Sequence, residues 1–375
     1  MSLAILSCLD DPSDLVRASA VSRSWREFVR RFSLSKNLCL KLFHRLSSVD
    51  RITEASNDRD EEESSEAGPS SLMDTRVLER EHRAYALLAR GCKSSPIRSC
   101  IAEAIVASST DNYPAESILN TLEERDKIDN NTPSYWSSTG QHKTSVPETL
   151  LYKLKADLCV ITEFSVQPFQ AYFQPGTPIY SSHYVRFRLG HHNANSQEKK
   201  SESGKVPPVE SNYVWTYTSQ EFPMAQENRL QNFKLPEPVL CVGGYLLIEL
   251  LGRVQTQEMD GLYYICVSHV KVMGRALAKS FRVVDPDESG KFGLKVVSYS
   301  DPQEMDEMEE EAEQSPQELD EMEEEEEQRH LGPVRNPRLS PMRNLEQLLN
   351  FLRRRPRDVD YVWPESDDTD SDEEV

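Results

Sequence analysis

The chain has 375 residues and a formal net charge of −20. The charge is unevenly placed: residues 301–328 hold 16 of the 63 Asp and Glu and no Lys or Arg, whereas the first 300 residues are close to neutral. A near-neutral body with no basic stripe argues against a nucleic-acid partner. The seven cysteines are scattered without a C-x-x-C pair, which suggests neither a zinc site nor a disulfide framework. No apolar run spans a bilayer and no signal peptide precedes the body, so the expected setting is reducing, cytoplasmic and/or nuclear, with no membrane partner.

The chain opens on Leu3 to Phe28, where Leu3, Ile5, Leu6 and Leu9 recur at roughly helical spacing. Asp10-Asp11-Pro12-Ser13-Asp14 breaks this pattern, and Asp11 or Ser13 is suited to cap a second helix with Leu15, Ala18 and Val21 on one face. Val21, Trp25 and Phe28 carry the apolar positions onward. Helices this short do not bury their faces against one another unaided. They dock either on the chain's own body or on a separate partner.

An apolar helix, then Pro12-x-Asp14-Leu15, then Val21-x-x-x-Trp25-Arg26, resembles an F-box. The resemblance implies docking onto a Skp-type adaptor and, through it, onto the cullin of an SCF ubiquitin ligase. Residue by residue it assigns Ile5, Leu6, Leu9, Pro12, Leu15, Val16, Val21 and Trp25 to adaptor-facing or core positions. The Leu-Pro pair that usually opens the motif is absent ahead of Leu3, so the helical unit at 1–49 is read as incomplete at its N-terminus.

Lys36 to Val49 reads as one more short helix, with Leu38, Leu42 and Leu46 four apart. Residues 50–71 are polar and acidic, a linker by composition. A connecting helix follows within 72–99, with Gly91 as its stop signal.

From Ile101 the period changes to short β-branched and aromatic segments separated by Pro, Gly, Asn and Ser. Expected strands are 100–107, 149–153, 160–169, 184–189, 212–219, 229–233, 245–250 and 263–272. In the third, Val160, Thr162, Phe164 and Val166 fall on one face and Ile161 on the other; in the fourth, Val185, Phe187 and Leu189 alternate with Tyr184, Arg186 and Arg188. Strands without intervening long helices make an antiparallel sandwich or jelly roll over 100–300. The fold class is therefore multidomain α+β: all-α F-box-like helices, an antiparallel β-sandwich, then a disordered charged tail.

Ala107-Ser108-Ser109-Thr110, Ile118-Leu119-Asn120, Tyr135-Trp136-Ser137-Ser138 and Leu150 to Leu154 look like the opening of a discoidin-like or galactose-binding-like sandwich. Leu246 to Gly252 and Ile265 to Val272 resemble its closing strands. The whole chain is similar to a group of plant F-box proteins carrying such a domain. That similarity implies a non-catalytic subunit whose sandwich holds an unknown protein or glycoprotein target; the alternative is a stand-alone carbohydrate- or ligand-binding module. The fold group also often holds a structural calcium, for which Asp111 and Asp126 stand in the corresponding loop, although plain surface carboxylates account for both.

The loop Glu221 to Asn228 brings Phe222, Met224, Gln226 and Asn228 to one end of the sandwich, either to plug the core or to line a target-binding rim. The polar turn Gln255 to Gly261 belongs to the same choice. His183, His191 and His192 sit near a strand end but lack the fixed spacing of a metal site. None of the phosphate-loop, dinucleotide, zincin or nucleophile-elbow motifs is present, so no cofactor and no catalytic residue are expected.

Residues 301–314 repeat at a 14-residue period as 315–328 (DPQEMDEMEEEAEQ, then SPQELDEMEEEEEQ). Mutual repulsion of carboxylates makes this a solvated, disordered segment. Leu345, Leu348, Leu349 and Leu352 then share a face ahead of the basic run Arg353 to Arg357.

Overall fold

A computed structural model describes residues 2–54, 70–124, 133–193 and 212–299, apart from Lys279, Asp285 and Glu288. The expected disordered tail and Asp126 lie outside these residues.

Four short helices come first: α1 (Ser2–Leu6), α2 (Pro12–Val21), α3 (Arg23–Arg31) and α4 (Leu34–Leu42). Asp11 caps α2, accepting the Ser13 N–H at 2.7 Å, with Pro12 in the first turn where its missing N–H costs nothing. Ser22 ends α2 in an extended conformation and caps α3 by accepting the Trp25 N–H at 3.2 Å. The helix expected to run to Val49 stops at Leu42, giving way to a 3-10 turn over His44–Ser48.

Residues expected to begin a linker instead form β1 (Val49–Glu54). Then comes the long α5 (Ser70–Ser94), which runs through Gly91. The strands that follow are β2 (Arg98–Ser99), β3 (Ile101–Ala107), β4 (Trp136–Ser137), β5 (Glu148–Leu154), β6 (Leu158–Gln170), β7 (Ile179–Tyr180), β8 (Ser182–His192) and β9 (Tyr213–Thr218). The chain continues with β10 (Phe222–Pro223), β11 (Gln231–Val242), β12 (Tyr245–Arg253), β13 (Gln255–Thr256), β14 (Tyr263–Tyr264), β15 (Cys266–Ala276), β16 (Phe281–Val284) and β17 (Phe292–Val296).

Two antiparallel sheets face one another. One runs β10-β8-β12-β5-β3 with β9 added on β8; the other runs β11-β6-β15-β2, with β4 on β15 and β7 on β6. Their inner faces meet in one core, in which Val185, Phe187 and Leu189 of β8 lie opposite Phe164 and Val166 of β6 and Val270 and Val272 of β15. Phe164 stacks on Phe187 at 4.2 Å between ring centres. The outward Arg186 and Arg188 both pair with Glu249 on β12.

The alternation expected for β6 fails at Thr162. Met273 pairs with Glu163 while the next residue, Gly274, pairs with Ile161, so Thr162 is the extra residue of a bulge. Ile161 therefore joins Phe164 and Val166 in the sandwich core, and Val160 faces the other way. The opposite neighbour is irregular at the same level: the β11 register shifts between Lys234 and Val239, a stretch containing Pro236 and Pro238, which cannot donate to a ladder.

The face to which Val160 turns belongs to a second core that the sequence reading lacks. Leu158 and Val160 of β6 and Leu240 and Val242 of β11 pack there with Leu6, Leu15, Val29 and Leu38 of the first four helices and with Tyr85, Leu88 and Cys92 of α5. A small third sheet closes it. In that sheet β17 pairs parallel with β1 and antiparallel with β16, so residues 281–296 belong to the helical end and not to the sandwich. The expected separation into helical unit, linker and sandwich gives way to two cores sharing one sheet.

Candidate functional sites at the two ends

At the helical end, the eight residues singled out from the sequence divide into two sets. Leu6 and Leu15 are each only 2% exposed, Pro12 is buried beside them, and Leu9 packs partly covered against the same core. Ile5 (58%), Val16 (45%), Val21 (67%) and Trp25 (39%) remain in solvent. Phe32, tilted against Phe28 with 4.9 Å between ring centres, adds a further exposed ring outside the eight.

The backbone bearing these residues is tied down from behind. Lys93 on α5 donates to the Asp10 carbonyl at 2.6 Å, and Lys41 on α4 donates to the Ser7 carbonyl at 3.1 Å. The capping N–H of Ser13 holds the Asp11 carboxyl below its ordinary value, so the α2 cap is fully charged at neutral pH. On α3, Arg30 is clamped by Glu27 and by Glu79 of α5.

At the other end of β6 the loops between strands enclose a concavity of roughly 350 Å³, measured with its open mouth. Its walls are Tyr135, Phe169, Phe173, Tyr180 and Tyr264, and its carboxylates are Asp111 and Glu116. Tyr135 stacks on Phe169 at 3.7 Å, and Tyr180 meets Tyr264 edge-on at 6.3 Å. Each phenol donates to a polar neighbour: Tyr135 to Glu116 at 3.0 Å, Tyr180 to Gln174 at 2.6 Å and Tyr264 to Asp260 at 2.7 Å. Burial and the nearby carboxylates push the Tyr135 phenol well above its ordinary value, which keeps it a neutral donor. Partial burial, and then the charge of Asp260, raise the Asp111 carboxyl. Burial likewise raises the Cys266 thiol, so the one sulfur in the lining is no nucleophile.

Behind the pocket Arg253, with 0% exposure, pairs with the buried Glu148. The same guanidinium donates to the Val146 and Tyr263 carbonyls at 3.1 and 2.9 Å and to Ser138 Oγ at 2.9 Å. Ser109 donates to Glu148 at 2.8 Å, so one ion pair pins several of the pocket's loops together.

None of the four residues expected on the rim lines this pocket. Met224 is buried in the sandwich core, and Phe222 packs against Phe187 and Phe233. Gln226 donates to the Ile179 carbonyl at 3.0 Å and Asn228 to the Tyr172 hydroxyl at 2.8 Å, bracing the loop that carries one wall. Of the residues that do line it, Asp111 is the calcium candidate of the fold resemblance; no group of three or more His, Cys, Asp or Glu placed to hold a metal ion occurs among the described residues. Sequence alone does not reveal the aromatic walls, because Phe169 and Tyr264 read as ordinary strand-end residues and Tyr180 falls between expected strands. The available signal was the crowding of aromatics at Phe169 to Phe173 and Tyr263-Tyr264. Among the described residues, no helix is long and apolar enough to cross a membrane.

Comparison with known proteins gives the helical end a family. The F-box-like family model matches residues 1–41. Over 98% of its length the chain is 73% identical to the F-box protein At4g00755 of Arabidopsis thaliana, and it covers 94% of that protein. Among solved structures it aligns with the family 32 carbohydrate-binding module of Streptococcus pneumoniae EndoD at a TM-score of 0.30 and 10% identity, over 47% of this chain and 98% of that one. The galactose-bound family 32 module of Clostridium perfringens NanJ aligns at 0.28 and 11%, over 47% and 93%. The chain belongs to the F-box protein family.

Proposed function

We propose that this protein is the substrate-recognition subunit of an SCF-type cullin ubiquitin ligase. A Skp-type adaptor docks on Ile5, Val16, Val21 and Trp25, and the far end of the sandwich holds the target. An F-box implies an SCF adaptor role in general.

The observation that carries the reading is the span of β6. Leu158 and Val160 pack with the helices at its start, and Phe169 lines the pocket at its end. Eleven residue steps of strand separate Leu158 from Phe169, about 36 Å at ~3.3 Å per residue. One rigid strand thus presents two accessible surfaces at opposite ends, which is what an adaptor requires and a simple helical cap does not. That Leu6 and Leu15 serve the chain's own core while Val21 and Trp25 stay outside also supports the reading.

The test is co-elution of the full chain with a Skp-type adaptor on size exclusion, compared with Val21→Asp. Val21 sits in solvent, so the variant keeps its fold. Co-elution of the unmodified chain, lost in the variant, supports the proposal; failure of the unmodified chain, or an unaffected variant, overturns it.

A further inference from the structure

The pocket at the far end combines three features. Its walls are aromatic, contributed by Tyr135, Phe169, Phe173, Tyr180 and Tyr264. Its polar lining carries Asp111 and Glu116, with Asp260 held next to them by Tyr264. No Lys, Arg or His stands among the lining residues; Arg253, the nearest guanidinium behind it, is committed to Glu148. We propose that this pocket takes the ammonium group of a lysine side chain presented by the target protein. The inference rests on the assignment of the sandwich end as the target end and names the chemistry recognised there.

The physical reasons are complementary. Aromatic rings carry a negative face that attracts a cation, and the attraction grows when both partners leave water. Asp111 is drawn partly out of water next to another carboxylate, so its charge is unfavourable in the empty pocket, and an incoming cation relieves that cost. Apolar walls meanwhile cover the methylene stem behind the charged head.

The shape selects the ammonium over the guanidinium. Tyr135 already lies flat on Phe169, and Tyr180 meets Tyr264 edge-on, so these two pairs offer no parallel slot for a planar fork. A compact point charge on a flexible stem needs none.

The Ala171 methyl lines the pocket and serves as a reporter. The full chain, with labelled alanine methyls, is titrated with a capped Gly-Gly-Lys-Gly-Gly peptide and with the same peptide carrying norleucine or arginine, and separately with galactose. The expected result is a saturable Ala171 shift with the lysine peptide. That binding should weaken about tenfold or more in Asp111→Asn, as the loss of a charged partner implies, and norleucine should give no shift. Asn matches Asp in size and shape, and the variant's methyl spectrum away from the pocket reports directly whether its fold is kept. Absence of a shift with lysine, equal shifts with norleucine, arginine as strong as lysine, or a shift with galactose in place of lysine would each overturn the proposal. The titration uses no adaptor. If it fails while adaptor co-elution succeeds, only the lysine inference falls; the reverse result removes only the docking assignment.

Discussion

Replacing Leu294 with alanine tests whether the two ends of this molecule are one mechanical body. Leu294 lies in the middle strand of the small sheet, paired with Ile52 and Val283, and is 1% exposed. It touches neither inner face of the sandwich. The substitution removes three buried carbons, about 2.4 kcal/mol at ~0.8 kcal/mol per carbon, and the cavity left behind brings the loss to roughly 3 kcal/mol. For a body of this size that corresponds to a fall in Tm of roughly 6–12 °C. Hydrogen exchange read by mass spectrometry locates the loss. Because Leu158, Val160, Leu240 and Val242 of the sandwich sheet share the core with Leu294, protection of α2 and α3 and of β15 should fall together, by about 100-fold. Loss confined to residues 2–54, with residues 266–276 keeping full protection, would refute the shared core. The fixed separation of the two surfaces would fall with it.

Four other outcomes are expected. Trp25→Ala should weaken adaptor binding about 30-fold with little change in Tm: its 39% exposure leaves roughly 100 Å² of ring to bury, about 2 kcal/mol; an unchanged affinity by calorimetry would remove Trp25 from the interface. Leu15→Ala should do the opposite, costing about 2–5 kcal/mol of stability in a denaturant melt because its side chain fills the second core. Glu148→Gln strands the fully buried Arg253 guanidinium and should cost about 3–5 kcal/mol, loosening the pocket loops; a loss below about 1 kcal/mol would mean the carbonyl and hydroxyl acceptors suffice. His82, which bonds Ser35 across α4 and α5, is held below its ordinary value by burial and by Arg30 and Arg26. Its contribution is therefore present above about pH 6.5 and is lost as pH falls through the depressed native value. The drop in Tm between pH 7.5 and 5.5 should be smaller in His82→Gln, and an identical drop would assign the acid sensitivity elsewhere, for example to the buried His191 and His269.

How far sequence alone reaches is clearest within single elements. The inward Val185, Phe187 and Leu189 were legible because β8 alternates without interruption and one face meets only core. On β6 the same logic placed Val160 with Phe164, and it failed because a bulge at Thr162 adds a residue that leaves no mark in the hydrophobic pattern. Polarity hid β1: in VDRITE only Ile52 is buried, and the parallel partner Phe292–Val296 lies some 240 residues later. The aromatic pocket was equally hidden, since its walls come from four separate stretches that only the fold brings together.

The N-terminal helices set a harder problem, because both faces of α2 are apolar. Leu15 and Ala18 turn inward while Val16 and Val21 turn outward, although all four satisfy a helical period. Periodicity states that a face must be covered without stating by what. Here the coverage is divided: α5 and the outer side of the sandwich sheet take the inward set, leaving the outward set without cover from the described chain. A segment docked wholly on its own domain would have buried Trp25 and Val21; one that existed only for a partner would have left Leu6 and Leu15 exposed. The observed division holds the helices rigidly by one face so that the other is available. The bulge in β6 sets which residues serve each core: with Thr162 as the extra residue, Val160 turns to the helical core and Phe164 to the sandwich core.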